Sequence, residues 1–186
     1  SFHDLAEQGV HAEKLIPSFP TKTFPNHYTL ATGLYPDHHG IINNGFYAPD
    51  LDRTYRISDR DMVQNPDVYF GEPVWVTAEK QGVRAASFFW VGSEAPIKGR
   101  YPSYWKVYDG SVPYTDRIDT VIHWLKLPLE SRPRLVMLYF DEPDHTGHDY
   151  GPEHQETGKV VANLDSLLGA LRSKLSKLQQ ADRINL

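Results

Sequence analysis

Two clusters in this 186-residue chain carry side chains able to do chemistry. The first is Phe19-Pro-Thr-Lys-Thr-Phe-Pro-Asn-His-Tyr28, which continues through Gly33, Pro36 and Asp37-His-His-Gly40 to Asn44. Thr23 stands where a helix should begin, with Pro25 just inside it; proline suits a first turn because the N–H it lacks would go unpaired there. Gly33 is the matching stop signal, with Pro36 beyond it. A hydroxyl at that place lies beside unpaired amides and the positive end of the helix dipole, a favourable setting for a phosphate group. Thr23 is equally readable as an ordinary helix cap. The second cluster is Asp141-Glu-Pro-Asp-His-Thr-Gly-His-Asp-Tyr-Gly151. Pro143 and Gly147 are expected to turn a loop so that Asp144 and His148 face one point. Carboxylate plus imidazole is a donor set suited to Zn²⁺, or merely the composition of a solvated loop. Catalytic zinc usually takes three protein ligands. His38 and His39 are the nearest further donors, but Asp37-His-His-Gly40 reads equally well as a turn; His145 and Asp149 are expected to face water.

The elements that must position these groups alternate between helix and strand. Phe2 to Gln8 reads as a short helix stopped by Gly9, and residues 71–82 as a helix with Pro73 in its first turn and Gly82 as its cap. Residues 84–90 form a buried strand, and this order begins an α/β alternation. Residues 116–127 are an amphipathic helix with Ile118, Val121, Ile122 and Leu125 on one face. Arg134 to Phe140 is a continuous apolar run, expected to be a central parallel strand buried on both faces. Ligands in open α/β sheets bind beyond the C-terminal ends of strands, and Asp144 and His148 follow directly. Residues 155–179 form a long helix with a leucine-rich stripe. Residues 47–70 read as a polar surface excursion, 91–112 as an ordered aromatic loop, and 183–186 as the start of a strand.

Composition narrows the class. Apolar content of 40% and charged content of 23% are those of a globular protein with a real core. A formal net charge of −5 argues against nucleic-acid duplexes and anionic membranes as nonspecific partners. No apolar run reaches the roughly 20 residues of a membrane-spanning helix, and no secretory signal is visible at Ser1. Without cysteine there are no disulfides, thiolate metal sites or cysteine nucleophiles.

Six segments occur in order that together resemble one family: Pro20-Thr-Lys-Thr-Phe-Pro-Asn-His-Tyr28, Thr32-Gly-Leu-Tyr-Pro36, His39-Gly-Ile-Ile-Asn-Asn44, Gly71-Glu-Pro-Val-Trp-Val-Thr77, Phe88-Phe-Trp90 and Glu142-Pro-Asp-His-Thr-Gly-His-Asp-Tyr-Gly-Pro152. They resemble the nucleotide pyrophosphatase/phosphodiesterases of the alkaline phosphatase superfamily, over essentially the whole chain. The resemblance implies an α/β fold with a mostly parallel, alkaline-phosphatase-like sheet flanked by helices. It implies a two-zinc site, a nucleotide or dinucleotide as small-molecule substrate, and a location outside the cytoplasm, extracellular or periplasmic. Thr23 matches the nucleophile, which also touches one zinc, and Asn44 matches a donor to a non-bridging phosphoryl oxygen. Asp144 and His148 match two ligands of the other zinc. Phe24 and Tyr108 match an aromatic pair that sandwiches the base, and Tyr139 matches a further pocket residue. The implied reaction is attack of the threonine on phosphorus and hydrolysis of the nucleotidyl-threonine to a nucleoside 5′-monophosphate. Metals about 4 Å apart would stabilise the entering and leaving oxygens.

The family also carries an Asp ligand upstream, and an Asp-His pair and a further His downstream, of the residues present here. Residues 1–186 are therefore expected to be a partial catalytic domain, incomplete at both ends, with 91–112 as its substrate-pocket loop. Alone they would neither hold both zinc ions nor turn over normally. Relatives that act on lysophospholipids or choline-phosphate diesters are the first alternative. A lysophospholipase D branch lacks the segment equivalent to residues 92–109, which is retained here, and base stacking on Tyr108 favours nucleotides; Tyr108 also reads as one more surface aromatic. The second alternative is an inactive nucleotide-binding module. Sulfatase and phosphomutase chemistry need a Cys or Ser where Thr23 stands. The preferred nucleotide and the oligomeric state are not legible.

Overall fold

The computed structural model describes residues 1–186. The chain divides into two compact units. One comprises Ile16–Tyr108 and Leu127–Tyr139; the other comprises Ser1–Leu15, Asp109–Lys126 and Phe140–Leu186.

The first unit is built on a three-stranded parallel sheet of β3 (Ala85–Phe88), β4 (Tyr104–Lys106) and β5 (Leu135–Leu138), in the order β4-β3-β5. Every residue of β3 is buried. The central strand is thus β3. The apolar run at 134–140 supplies β5, a half-buried edge of this sheet rather than its centre. Continuous hydrophobicity reports burial of the faces of a strand, not its place in the order. Within the segment expected to be a loop, Tyr104–Lys106 adds a strand; its partner is the backbone of β3, which side-chain patterning does not announce.

Helices α2 (Thr23–Thr32), α3 (Pro36–His39) and α5 (Val74–Lys80) belong to this unit. Gly33 ends α2 in the left-handed region at φ 70°, and its N–H donates to the Thr29 carbonyl at 2.8 Å. Gly40 ends α3 at φ 84°; a Cβ there would lie 2.7 Å from the Phe70 ring. Pro73 is the cap of α5, one place earlier than expected, and Gly82 follows its end at φ 75°.

Residues 47–70 are not a surface excursion. They include strand β2 (Arg53–Arg56) and helix α4 (Arg60–Val63), with β2 paired antiparallel to β1 (Gly45–Ala48). Tyr55, Met62, Val63, Val68 and Tyr69 enter the same core as Tyr28, Ile41, Trp75 and Val76. Here each short element inserts one or two large residues among polar ones, so no periodicity develops.

In the second unit α8 (Gln155–Leu175) carries α6 (Tyr114–Leu125), α7 (Asp144–Tyr150) and α1 (Phe2–Gln8). Leu171 and Leu175 are the buried end of the α8 stripe, whereas Val161 is exposed; the helix stops at Leu175, short of the expected 179, and Leu178 is buried in the turn beyond it. Asp165 of α8 accepts from the amino group of Ser1 and from the Phe2 N–H, while Arg172 reaches Asp4 at 3.0 Å. On α6 the buried face is Ile118, Val121, Ile122 and Trp124, joined by a fully buried Arg117; Leu125 is only half-buried. The final residues make a single 3₁₀ turn at Ala181–Arg183, not a strand. No helix is long and apolar enough to cross a membrane.

Candidate active site

Thr23 is the first residue of α2, and Lys22, in extended conformation and without a side-chain cap bond, precedes it. The threonine is therefore not the cap. Its hydroxyl forms no hydrogen bond, although its carbonyl accepts from the Nδ1–H of His27 at 2.7 Å. Asn26 holds the approach: its Oδ1 accepts from the Ser18 N–H at 2.8 Å, and its amide donates to the carbonyls of Pro20 and Lys22 at 3.1 and 3.0 Å. A short polar side chain four places into a helix is a weak helix former, and that was the available signal for this clamp, which the motif reading passed over.

The amides at this helix head are mostly used. Phe24 donates its N–H to Asn44 Oδ1 at 3.0 Å, Pro25 has none, and Asn26 returns to the Lys22 carbonyl. The anion-attracting capacity is thus concentrated at Thr23 itself. Because Oδ1 of Asn44 is committed to the N–H of Phe24, the neighbour of Thr23, its NH₂ group keeps its two donors for another partner. No acidic residue lies in the first turn to oppose a bound anion.

Behind the threonine stands an aromatic frame. His27 meets the rings of Trp90 and Tyr139 edge-on, each at 5.3 Å between centroids, and Trp90 Nε1–H donates to the His27 carbonyl at 3.1 Å. Tyr108, 40% exposed, lies 6.4 Å from Tyr139 and packs edge-on against Phe89 at 5.2 Å. Phe89 sits at φ 71°, a left-handed conformation that an aromatic residue adopts only at a cost. The backbone N–H of Tyr108 donates to Glu94 Oε1 at 3.1 Å, and the buried Glu94 is paired with Arg60. A lone Glu in the apolar stretch Trp90 to Ile97 was the sequence signal for this anchor, and it was missed.

His39 is fully buried. Nδ1 accepts from the Ile41 N–H at 3.2 Å, so Nε2–H donates to the Thr29 hydroxyl at 2.9 Å. Burial holds its pKa below the usual histidine value. Both nitrogens serve the fold, which removes His39 from the candidate ligands. His38 is exposed beside Asp37 at 3.3 Å.

In the second unit the expected loop is helix α7, and Asp144 is its first residue. Glu142 makes the helix possible despite Pro143 and Gly147: its carboxylate accepts from the Thr146 N–H at 3.0 Å and the Thr146 hydroxyl at 2.9 Å. Proline at a helix boundary then starts a turn instead of breaking one. Asp144 Oδ1 and His148 Nε2 face each other at 3.7 Å across one helical turn, with side chains 68% and 80% exposed. Two ligand atoms on a tetrahedral zinc with bonds near 2.1 Å would be separated by roughly 3.4 Å. This pair fits such an ion with a small side-chain rotation. It fits as two donors only, because no group of three or more His, Asp or Glu is gathered anywhere in the chain. His145 and Asp149 form a second exposed pair at 3.9 Å. Before α7, Arg117 Nη1 donates to Asp141 Oδ1 at 3.0 Å, and the Glu142 N–H donates to the Tyr114 hydroxyl at 3.1 Å. Burial first, then the Asp141 charge, pushes the Tyr114 phenol up to about 12.

The family model of type I phosphodiesterase / nucleotide pyrophosphatase matches residues 1–186. The chain belongs to that family. Human ectonucleotide pyrophosphatase/phosphodiesterase family member 1 is 43% identical over 182 residues, which cover 98% of this chain and 20% of the relative. Venom phosphodiesterase CdcPDE of Crotalus durissus collilineatus is 44% identical over 186 residues, 100% of this chain and 22% of the relative. The solved structure of murine ectonucleotide pyrophosphatase / phosphodiesterase 5, an inactive threonine-to-alanine variant in complex with AMP, superposes with a TM-score of 0.89 at 33% identity. That match covers 95% of this chain and 46% of the murine one. The fold is accordingly the alkaline-phosphatase-like α/β class. The chain spans about a fifth of the length of the curated relatives it matches.

Proposed function

We propose that the protein of which these residues are part is a nucleotide pyrophosphatase/phosphodiesterase, hydrolysing phosphodiester and pyrophosphate bonds of nucleotides to release nucleoside 5′-monophosphates. Thr23 is the nucleophile. The observation that carries this reading is the unpartnered Thr23 hydroxyl at the head of α2, followed by Phe24, whose N–H is tied to the oxygen of the Asn44 amide. Thr23 Oγ1 bonds to phosphorus, the leaving-group oxygen departs, and water then cleaves the nucleotidyl-threonine. Asn44 donates to a non-bridging oxygen as charge accumulates there. Phe24 and Tyr108 hold the base, with Tyr139 completing the pocket, and 91–112 is the pocket segment. Asp144 and His148 would supply two ligands of one of two zinc ions, and Thr23 would be a ligand of the other. When bound, the zinc ions would lower the pKa of the threonine hydroxyl and offset charge on phosphoryl oxygens. Residues 1–186 are then part of one catalytic domain whose remaining ligands lie elsewhere in the complete protein.

An AMP complex of the murine neighbour, and the inactivity of its threonine-to-alanine variant, support nucleotide as substrate and threonine as the attacking group. The ecto- and venom names of the relatives support a site of action outside the cytoplasm, extracellular or periplasmic. The test is a quench of the complete protein turning over p-nitrophenyl thymidine 5′-monophosphate with Zn²⁺, followed by peptide mass analysis. A nucleotidyl adduct on the peptide containing Thr23 is expected; an adduct elsewhere, or turnover surviving Thr23→Ala, overturns the proposal.

A further inference from the structure

We propose that Arg117 and Tyr114 of α6 are positioning residues for the Asp144–His148 pair. The proposal rests on the reading of that pair as zinc ligands. Helix α7 buries none of its seven residues, and a helix that short does not stand on its own hydrogen bonds. Helix α8 supports it from its far end, and the segment leading into it holds its first turn. Arg117 is a cation with no exposed side-chain surface, and removing such a charge from water is tolerated only when its donors are met. Nη1 meets Asp141 Oδ1 at 3.0 Å, Nε meets the Val112 carbonyl at 3.1 Å, and the guanidinium lies 4.6 Å over the Tyr114 ring.

The same Tyr114 accepts the Glu142 N–H through its hydroxyl, and the Glu142 carboxylate grips Thr146 at both its N–H and its hydroxyl. A continuous path of polar contacts therefore runs from a buried cation on α6 to the residue midway between Asp144 and His148. It fixes the rotation of the first turn of α7, which is what aims both ligands. Pairing with Arg117 also occupies the Asp141 carboxylate, as Thr146 occupies that of Glu142, and so keeps both acids upstream of Asp144 from competing for the ion. Neither Arg117 nor Tyr114 is a ligand; both act through the backbone of residues 141–146.

The experiment measures zinc affinity of the complete protein by competition with a chromophoric chelator, alongside its melting temperature without metal. Tyr114→Phe keeps the ring under Arg117 and removes the hydroxyl that accepts the Glu142 N–H and bonds the Asp141 carboxylate. It is expected to weaken zinc binding at this site about 10-fold. Arg117→Lys keeps the charge and loses the planar fork, for an expected 10- to 100-fold loss. Asp144→Ala is the reference. If it weakens zinc while both α6 variants stay within twofold of the parent, lower melting temperatures notwithstanding, the positioning role is overturned. If Asp144→Ala itself leaves zinc affinity unchanged, the ligand reading fails first and takes this proposal with it. Should Arg117→Lys not fold, Tyr114→Phe decides.

Discussion

The head of α2 and the whole of α7 present the two halves of the proposed chemistry, and they are built in opposite ways. Around Thr23 the side chains are interlocked: Asn26 clamps the incoming loop, Asn44 ties down Phe24, and Pro25, Tyr28 and Ala31 anchor the helix in the core. Helix α7 has no buried residue, and its two candidate ligands stand largely in solvent. A nucleophile must be aimed before substrate arrives, because misplacement by about 1 Å can cost on the order of 100-fold in rate. Metal ligands can be drawn into their final rotamers by the ion itself, whose binding energy offsets the ordering. The fold thus invests rigidity where no ligand will supply it.

Breaking the rigid half gives the largest effect. Thr23→Ala in the complete protein is expected to lower kcat by at least about 10³-fold while moving Tm by less than about 2 °C, since the hydroxyl has no partner to lose; a large fall in Tm would mean the hydroxyl is structural. Asn44→Ala follows, with kcat down about 10²- to 10³-fold and roughly 1 kcal/mol of stability lost with the Phe24 bond, read from steady-state kinetics and urea unfolding. In the exposed half, His148→Ala is expected to reduce zinc stoichiometry and activity without destabilising the metal-free protein. Equal zinc content in variant and parent would break the contrast drawn here. Tyr108→Ala should raise KM for nucleotide substrates roughly 5- to 150-fold, the equivalent of about 1–3 kcal/mol of stacking, with a smaller change in kcat.

The smallest expected effect is on acid stability. His39 is held neutral by burial, so the unfolded chain binds more protons than the folded one below the ordinary histidine pKa of about 6.5. Its contribution is complete above that pH and is lost as pH falls toward the depressed folded value. His39→Gln should be less stable at pH 8 yet lose less on going to pH 5. Parallel melting curves for variant and parent would exclude the assignment.

What could be read in the sequence depended on how each region announces itself. Helix α2 is legible because Thr23, Pro25 and Gly33 mark both its ends, α6 and α8 because their apolar residues repeat at a regular spacing, and β3 because it is a short, nearly unbroken run without charge. The family motifs named Thr23, Asn44, Asp144 and His148, and the structure shows how two of the four are held. Tyr55, Tyr69 and Met62 read as surface in the sequence because a four-residue strand or helix contributes one or two inward side chains and so no pattern. Helix α7 was read as a loop because Pro143 and Gly147 suggest one locally, while the Glu142 contact that overrides them is a matter of side-chain geometry. Glu94 and Asn26 escaped for the same reason: each acts on a backbone group that composition does not reveal.

Phe89 imposes a constraint on anyone who would harden this protein. Its backbone sits in a region where glycine would be more comfortable, yet its ring is buried, so Phe89→Gly would lose more in core burial than relief of the backbone would return. That replacement would delete the ring that backs Tyr108. Heat resistance and grip on the base therefore both hold an aromatic ring at this one strained position.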